Sequence, residues 1–363
     1  MRFTRDSGDI STVPEPTSAP VAGLDPRTIG RLARRAVADM GEGIAYGDKV
    51  VLQPHDDELG MLLDRSAAES CPGNQRLNWK LNALVSANAR YCAVKIVGSN
   101  ACNHALGLPR SQSLLTLYDK LTMTPLAQFD GTAVSARRTG AYASMAVDLL
   151  LAHREGLSIC LYGAGPIADC VVDDLHAHHA RRINRIHVCS RRPSSAQAFA
   201  AAAAARTGMD VRSGDDAPGH VDLVITATNA GSPIVPVDRL HPDVVVLHLG
   251  GDELPESFIK HVLARGTVVC DDVASVCHRN SQSLPLYFSR QHLRLSDLSG
   301  LFKICSLHDR TLRHCAELAR PALMTCVGLP VLDLYLAQWL YEQRGTSTCP
   351  AHAAAAPTAQ VSV

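Results

Sequence analysis

The clearest pattern of apolar and polar positions lies near the middle of the chain. The apolar run Leu157–Tyr162 is followed, after two glycines, by a helical spacing of apolar residues over 166–175. Later apolar runs alternate with helical patterns, at 186–189, 222–228, 244–249 and 267–270. Strands that are apolar almost throughout and alternate with helices are typical of a parallel sheet covered on both faces. We therefore predict an α/β domain with a doubly wound parallel sheet over residues 151–299.

The first part of the chain has a different pattern. Short strands are predicted at 50–52, 77–87, 91–97, 113–119 and 125–129, and no helical pattern interrupts the last four. Such a series of strands favours an antiparallel sheet. A helix is predicted at 26–40, and a C-terminal helix at 331–342 is expected to pack back on the sheet. Residues 28–150 and 300–343 are therefore predicted to form a second, α+β domain.

A glycine-rich turn joins the central strand to its helix. Residues 163–168 read Gly-Ala-Gly-Pro-Ile-Ala, which matches the dinucleotide fingerprint G-x-G-x-x-A of Rossmann-type domains. Gly163 allows the tight turn, and Gly165 lets the backbone approach a pyrophosphate that faces the helix N-terminus. Pro166 lies in the first helical turn, where a missing N–H costs nothing. We predict cofactor binding at Gly163, Gly165, Pro166 and Ile167; the alternative is a plain βα turn.

The ends of two later strands bear on the same cofactor. The strand at 186–189 is followed by Ser190-Arg191-Arg192, where NAD-specific folds usually carry an acidic residue. Ser190 and Arg191 are better suited to a 2′-phosphate, so NADP is predicted to be accepted beside NAD. The alternative is that the arginines face solvent. Thr226 and Thr228, small polar residues that end another strand, are predicted to line the site.

A further anion site is suggested by the stretch 131–141. Ser135 is predicted to cap a helix whose first turn carries Arg137 and Arg138, with the helix running from Thr139 to 155. Cations oppose the positive end of the helix dipole, at a cost of roughly a few tenths to 1 kcal/mol. A bound anion would compensate that cost.

Composition narrows the classes of function. Lys plus Arg and Asp plus Glu each total 35, aromatic residues make up 4%, and no basic stripe occurs. These features argue against a nucleic-acid partner. No apolar run reaches about 18 residues and the N-terminus is polar, so no membrane span and no signal peptide are expected, and the location is predicted to be cytoplasmic. Residues 1–27 and 344–363 lack periodicity and are predicted to be a disordered arm and tail.

The cysteines and acidic residues do not suggest a metal. The 12 cysteines are scattered without a C-x-x-C pair, and several fall inside apolar strands, so we expect reduced, buried thiols. The acidic stretch 55–58 precedes a helix predicted at 59–68, where the helix dipole favours carboxylates. No metal site is therefore predicted.

Four motifs occur in the order found in one family. They are the strand around Lys95 with its loop, the Arg-Thr pair within 135–141, the 163–168 fingerprint, and Gly250-Gly251-Asp252. On these motifs the chain resembles the ornithine cyclodeaminase and mu-crystallin family over residues 50–342. The resemblance implies hydride transfer between the Cα of an amino or imino acid and the nicotinamide of NAD or NADP. It also implies a homodimer that pairs through the first domain, which would bind the small amino-acid substrate.

The resemblance and the side-chain chemistry assign roles in substrate binding. Arg138 would clamp the substrate carboxylate, because its guanidinium fork matches both oxygens. Lys95 would lie opposite as a second cation with a part in catalysis, and either Arg76 or Lys80 would supply a third. Thr139, which follows the clamping arginine, would contact the cofactor.

A carboxylate is needed to move protons or activate water. Asp252 follows the strand at 244–249, and ligands bind at the carboxyl ends of strands in open α/β sheets. The two preceding glycines let the backbone turn sharply as it leaves the sheet. Asp252 is therefore the predicted acid–base group, and Glu253 competes with it for this role.

Three further stretches resemble one branch of the family, the siderophore-pathway dehydrogenases, at 107–111, 268–273 and 328–333. This likeness implies oxidation of a secondary amine to an imine that is hydrolysed, releasing 2,3-diaminopropionate and 2-oxoglutarate from N-(2-amino-2-carboxyethyl)-L-glutamate. Gly250-Gly251-Asp252 is more similar to the cyclodeaminases, which recycle bound NAD and release ammonia. A ketimine reductase or a ligand-binding protein of the mu-crystallin kind is the third hypothesis.

Overall fold

The computed structural model describes residues 23–52, 79–100, 103, 107–214, 220–314 and 318–347, with backbone alone at 313–314 and 344–347. Arg76, the acidic stretch 55–58 and the helix expected at 59–68 lie outside these residues. Within the described part of the chain, no helix is long and apolar enough to cross a bilayer.

The first half of the chain forms an antiparallel sheet preceded by one helix and followed by two. The elements are α1 (Pro26–Gly41), β1 (Tyr46–Leu52), β2 (Lys80–Ala87), β3 (Tyr91–Ser99), β4 (Ser111–Asp119), β5 (Pro125–Asp130), α2 (Gly131–Gly140) and α3 (Tyr142–Leu150). The strands pair in sequence order, β1-β2-β3-β4-β5. The antiparallel sheet predicted from the strand series is thus confirmed, with β1 beginning four residues before the expected start.

The second half contains the parallel sheet. Its elements are β6 (Leu157–Tyr162), α4 (Pro166–His179), β7 (Ile183–Cys189), α5 (Pro193–Thr207), β8 (Val211–Ser213), β9 (Leu223–Thr226), β10 (Val245–His248), α6 (Glu256–Arg265), β11 (Thr267–Cys270), α7 (Val273–Arg279), α8 (Ser283–Ser289), α9 (Leu295–Leu298), β12 (Cys305–Ser306), β13 (Ala322–Thr325) and α10 (Pro330–Ser347). Short 3-10 helices lie at Ala180–Arg182, Val237–Arg239 and Arg310–His314.

The parallel sheet has the order β12-β11-β13-β10-β9-β6-β7-β8. From β6 the chain moves to β7 on one side and later returns to β9 on the other side, which is a topological switch point. The doubly wound fold is therefore confirmed. Its carboxyl edge brings together the residues that follow β11, β13, β10, β9 and β6.

The parallel sheet extends past residue 299, where its end was predicted. β13 inserts between β10 and β11, and β12 pairs with β11, so residues 305–325 contribute to this sheet. The last helix, α10, returns to the antiparallel sheet, where it packs against β1, β2, β3 and β4. Its backbone is helical to Ser347, beyond the start predicted for the C-terminal tail.

The start of α2 corrects one sequence prediction. Asp130, not Ser135, is the N-cap residue, and its carboxylate accepts a hydrogen bond from the Thr132 amide at 2.8 Å. Arg137 and Arg138 consequently lie in the last turn, where cations favour the helix dipole. The helix ends at Gly140, and α3 begins two residues later instead of continuing α2. The expected dipole conflict is therefore absent, and it no longer provides an argument for an anion at this helix.

Candidate active site

The glycine-rich turn has the backbone conformation that its motif requires. Gly163 has φ +125°, in the region that favours glycine, and a Cβ there would lie 2.8 Å from the carbonyl oxygen of Ala227. A Cβ at Gly165 would meet nothing within 4 Å, so open space lies beside the backbone at the start of α4. Pro166 and Ile167 begin that helix. The free amides of its first turn and this space fit the pyrophosphate of a dinucleotide.

The end of the second Rossmann strand carries two exposed arginines. Arg191 and Arg192 follow β7, and Arg192 is the N-cap residue of α5. The Ser190 hydroxyl donates to the carbonyl of Arg192 at 2.7 Å, which folds this segment into a tight turn. Cations at a helix N-terminus are unfavourable unless an anion lies between them and the helix. The geometry therefore suits a phosphate.

Two of the predicted cofactor contacts, Thr228 and Thr139, are hydrogen-bonded within the protein, and a third, Thr226, is buried. The amide and hydroxyl of Thr228 both donate to Glu253 Oε1, at 2.8 and 2.5 Å. The Thr139 hydroxyl donates to the carbonyl of Ser135 at 2.7 Å. Thr226 is completely buried at the end of β9. The hydroxyl hydrogens of Thr228 and Thr139 are therefore already engaged by the protein.

Lys95 lies on the inner face of the antiparallel sheet and is 1% exposed. Its ammonium donates to Asp333 Oδ2 at 2.6 Å and to Ser135 Oγ at 2.7 Å. An ammonium has three hydrogens, so one donor remains for a substrate. Burial lowers the pKa of Lys95 to about 8, while Asp333 acts in the opposite direction.

Arg138 shares the same carboxylate. Its Nε lies 3.5 Å from Asp333 Oδ1, and its side chain is 9% exposed. The guanidinium packs against Gly328, where a Cβ would approach Nη1 to 2.1 Å. Gly328 also has φ +92°, and α10 begins two residues later with Asp333 in its first turn. One short segment thus positions both cations expected to hold the substrate carboxylate.

The strand register adds two more lysines to this face of the sheet. Lys49 pairs with Leu84, and Leu84 pairs with Lys95, so the two lysines belong to one row across three strands. Lys80 lies four residues before Leu84 on the same strand and therefore points to the same face. Arg279, at the end of α7, donates to the carbonyl of Val327 at 3.0 Å beside them.

These groups perturb one another's ionisation. Burial, followed by the charges of Arg279 and Lys80, lowers the pKa of Lys49 well below its usual value. Burial, followed by the charges of Arg279 and Arg110, lowers the pKa of Lys80 to about 7. Positive groups crowded in this way gain most from a bound anion, which restores their charged forms. We call the set the cationic pocket: Lys49, Lys80, Lys95, Arg110, Arg138 and Arg279.

Two carboxylates balance the cationic pocket among the described residues. Asp333 pairs with Lys95 and Arg138. Asp271, which follows β11, accepts hydrogen bonds from the Tyr142 hydroxyl at 3.0 Å and the Gly328 amide at 2.7 Å. In the part of the chain that the structure describes, the cations of the pocket therefore outnumber its carboxylates.

The two acidic residues in the loop after β10, Asp252 and Glu253, have different surroundings. Asp252 is 4% exposed; its Oδ2 accepts from Arg290, and its Oδ1 has no hydrogen-bond partner among the described residues. Glu253 is completely buried and bonded to Thr228, with its Oε2 lying 3.3 Å from His248 Nε2. A Cβ at Gly251 would lie 2.6 Å from the carbonyl of Ala230, so the tight turn requires glycine. Asp252 is thus the better candidate for acid–base chemistry.

Sequence reasoning named Lys95, Lys80, Arg138 and Asp252 but missed other members of the site. Asp333 lies within a stretch, 328–333, that carried a family likeness without an assigned role. Lys49 fell one residue outside the strand predicted at 50–52. A strand drawn one residue longer would have included Lys49, on the same face as Val51 two positions on.

The fold and this site together define a class: a dinucleotide-binding domain whose carboxyl edge faces a buried, cation-lined sheet. The ornithine cyclodeaminase/mu-crystallin family model matches residues 72–347, and the chain belongs to that family. The family expected from the four motifs is thereby confirmed.

Relatives and solved structures agree with this assignment. Delta(1)-pyrroline-2-carboxylate reductase of Bacillus cereus is 23% identical over 318 residues, covering 85% of this chain and 94% of the relative. The Thermococcus litoralis enzyme of the same name, solved with NADH and L-proline, has a TM-score of 0.73 at 20% identity, covering 89% of this chain and 94% of that one. An archaeal alanine dehydrogenase dimer with bound NAD has a TM-score of 0.71 at 18% identity, covering 89% and 93%. These relatives are not of the siderophore branch.

Proposed function

We propose that this protein is an NAD(P)-dependent oxidoreductase that interconverts an amine and an imine at the Cα of an amino acid with more than one carboxylate. The observation that carries the proposal is the cationic pocket at the carboxyl edge of the dinucleotide-binding sheet. The two Delta(1)-pyrroline-2-carboxylate reductases named above act on a cyclic imino acid with one carboxylate, as their name states, and this supports the type of reaction. The surplus of cations supports a substrate of higher negative charge.

Arg138 and Lys95 bind the carboxylate next to the reacting carbon. Asp333 holds the two side chains in place and leaves them donors for that carboxylate. Lys80 and Arg279 lie beyond them and bind a second carboxylate. Because the two carboxylates are bound at separate places, the substrate can lie in only one orientation, and its Cα–H bond points in a fixed direction. Such orientation is the main contribution that a protein makes to hydride transfer.

The substrate that fits this division is N-(2-amino-2-carboxyethyl)-L-glutamate, which carries three carboxylates. The 163–168 turn would hold the pyrophosphate of NAD or NADP, whose nicotinamide would supply the redox chemistry as acceptor of the Cα hydride. Asp252 takes up the proton from nitrogen and releases it to solvent. As a carboxylate again, it activates water, so that hydrolysis of the C=N bond releases 2,3-diaminopropionate and 2-oxoglutarate.

The test is a set of matched assays on the purified protein. With the glutamate conjugate and NAD or NADP, reduced nicotinamide and 2-oxoglutarate should appear in equal amounts. The same conjugate built on glutamine lacks one carboxylate and should react poorly. If the protein reduces pyrroline-2-carboxylate with the reduced cofactor and does not oxidise the conjugate, the proposal is wrong. The protein would then catalyse the reaction of the pyrroline-2-carboxylate reductases.

A cyclodeaminase is the second candidate, favoured by the Gly250-Gly251-Asp252 sequence. In that reaction Asp252 would assist attack of a distal amine on the imine. Ornithine would then release ammonia with catalytic NAD and no net change in nicotinamide absorbance. A net change in absorbance distinguishes the dehydrogenase from this alternative.

Arg138→Lys should weaken substrate capture because a lysine keeps the charge but loses the two-pronged fork. We expect kcat/KM to fall by the equivalent of roughly 1–3 kcal/mol, with the affinity for NADH unchanged. Arg137→Lys, one residue away and bonded to the carbonyl of Leu24, is the matched control. An equal loss of cofactor affinity in Arg138→Lys would instead assign this arginine to the phosphates or the fold.

Cofactor choice follows from the arginines after β7. Because Arg191 and Arg192 surround a helix N-terminus, NADP should bind at least as tightly as NAD. Arg191→Ala should weaken NADP binding by about tenfold, the value of one charged hydrogen bond, and leave NAD binding unaffected. Tighter binding of NAD in calorimetry, with no effect of Arg191→Ala, would contradict this prediction.

We also propose a homodimer through the outer face of the antiparallel sheet. That face exposes a group of large apolar side chains: Tyr46, Val50, Leu52, Leu81, Val85, Ile96 and Leu114. Val50, Ile96 and Leu114 lie in one register row, so the patch is continuous across four strands. Patches of this kind on a soluble domain mark interaction sites.

Val85→Glu should therefore convert the dimer to a monomer, since a charge at the centre of an apolar interface is desolvated without a partner. Leu301→Glu, at an exposed leucine of the nucleotide-binding half, is the control and should remain dimeric. The measurement is mass by light scattering at micromolar protein concentration. A monomeric mass for the unmodified protein would contradict the proposal.

A further inference from the structure

A buried histidine lies behind the loop that carries Asp252. His248, the last residue of β10, and Glu253 are both completely buried. His248 Nε2 lies 2.8 Å from the carbonyl oxygen of Gly251 and 3.3 Å from Glu253 Oε2. Its Nδ1 lies 3.2 Å from Thr325 Oγ1. Both ring nitrogens therefore have a polar neighbour at hydrogen-bond distance.

The neighbour of Nδ1 has its own hydrogen committed elsewhere. The Gln282 amide nitrogen lies 3.1 Å from the carbonyl of Gly250 and 3.0 Å from that of Cys326. Carbonyls only accept, so the NH₂ group must face them and Oε1 must face Thr325. The Thr325 hydroxyl donates its single hydrogen to that Oε1 at 2.9 Å.

The direction of these bonds determines the state of the ring. Thr325 Oγ1 can only accept from Nδ1, and the carbonyl of Gly251 can only accept from Nε2. We propose that His248 is an imidazolium paired with the Glu253 carboxylate, and that this pair positions the Asp252 loop. With a neutral ring that accepts at Nδ1, the oxygens of Thr325 and Gln282 would face each other at 2.9 Å without a hydrogen between them.

The electrostatics agree with a charged pair. A buried imidazolium needs a counter-ion, and Glu253 is the carboxylate in contact with it. Burial opposes the ionisation of Glu253, yet the contact with His248 and the hydrogen bond from Thr228 hold its pKa below the usual value. Among the described residues, the hydrogen-bonding and charged groups in contact with the ring are Glu253, Thr325 and the carbonyl of Gly251.

The network reaches the proposed catalytic loop from two sides. His248 holds the carbonyl of Gly251, and Gln282 holds the carbonyl of Gly250, so two successive peptide groups before Asp252 are fixed. Glu253 fixes Thr228 at the end of β9. This positioning role rests on the proposed function, in which Asp252 handles the proton and the water. His248 itself touches no substrate.

The first test reads the protonation state directly and needs no substrate. In ¹⁵N-histidine-labelled protein at neutral pH, long-range ¹H–¹⁵N spectra should show both ring nitrogens of His248 protonated. The signals are assigned by their loss in His248→Gln. In Glu253→Gln, which removes the counter-ion, one nitrogen should lose its proton. A single protonated nitrogen in the unmodified protein would overturn the imidazolium.

The second test measures whether His248 positions the Asp252 loop, by its effect on kcat and KM. His248→Gln should lower kcat by about 10- to 100-fold, with the substrate KM and NADH affinity changed little, because the loop is displaced while the binding groups remain. His261→Gln, at an exposed histidine of α6, is the control. Thr325→Val, which deletes one hydroxyl of the network, should act in the same direction if His248→Gln does not fold. An unchanged kcat would overturn the positioning role, whereas absence of turnover in the unmodified protein would count against the proposed function alone.

Discussion

Asp252→Asn should slow turnover by roughly 10²–10⁴, the usual contribution of a positioned acid–base group, without loss of cofactor affinity. The substitution keeps the shape of the side chain and removes its capacity to take up a proton. Because Oδ2 accepts from Arg290 while Oδ1 has no partner among the described residues, the reacting oxygen is expected to be Oδ1. Initial rates and NADH fluorescence titration provide the two measurements.

The control for this substitution is Asp243→Asn, at an exposed aspartate in the turn before the same strand, β10. It should leave both rate and affinity unchanged. The pH profile of kcat gives an independent check, because loss of a general base removes the corresponding limb of the profile. Near-normal turnover in Asp252→Asn would remove acid–base chemistry from Asp252 and leave Glu253 and the carboxylates at the cationic pocket as the remaining candidates.

The parallel sheet could be predicted because its strands are buried on both faces. β6, β9, β10 and β11 are almost uniformly buried, and such strands appear in a sequence as continuous apolar runs. β13 belongs to the same sheet but was not predicted. It lies far along the chain, after β12, and its position between β10 and β11 is a long-range pairing that no local pattern encodes.

The start of α2 illustrates a local ambiguity. Asp130 and Ser135 are both residue types that favour an N-cap position. Gly131 directly follows the true cap, and glycine disfavours a helix interior, so the sequence pattern pointed to the later start. Pairing of β5 with β4 continues to Asp130, opposite Leu114, and this fixes where the strand ends and the helix begins. The pairing of β5 with β4 therefore selects Asp130 as the N-cap residue over Ser135.

Site residues could be predicted where they lie in a local sequence motif. Residues that join the site through contacts between elements far apart in the sequence could not be predicted. Lys95, Arg138 and Asp252 each stand in a recognisable stretch. Asp333 and Arg279 act through neighbours that are far away in sequence, since Lys95 and Asp333 are separated by 238 positions. The charge balance of the cationic pocket therefore emerged only with the register of β1, β2 and β3.

Asp333 is the buried carboxylate that neutralises part of the positive charge of the cationic pocket. Its side chain is 2% exposed, and it contacts Lys95 at 2.6 Å and Arg138 at 3.5 Å. Removal of one partner from a buried ion pair leaves an uncompensated charge, which costs more than the pair itself contributes. At this position the remaining charges are both positive and lie beside further cations. Asp333 should therefore matter for folding as well as for the orientation of the substrate-binding groups.

Asp333→Asn should accordingly lower the free energy of unfolding by roughly 3–5 kcal/mol in urea titrations, the range found for broken buried pairs. Asp238→Asn, at an exposed aspartate, should change it little. A dicarboxylate such as glutarate should raise the melting temperature of Asp333→Asn more than that of the unmodified protein, because the bound anion replaces the missing charge. A variant of unchanged stability, or one that glutarate stabilises no more than the parent, would show that Asp333 does not balance the cationic pocket.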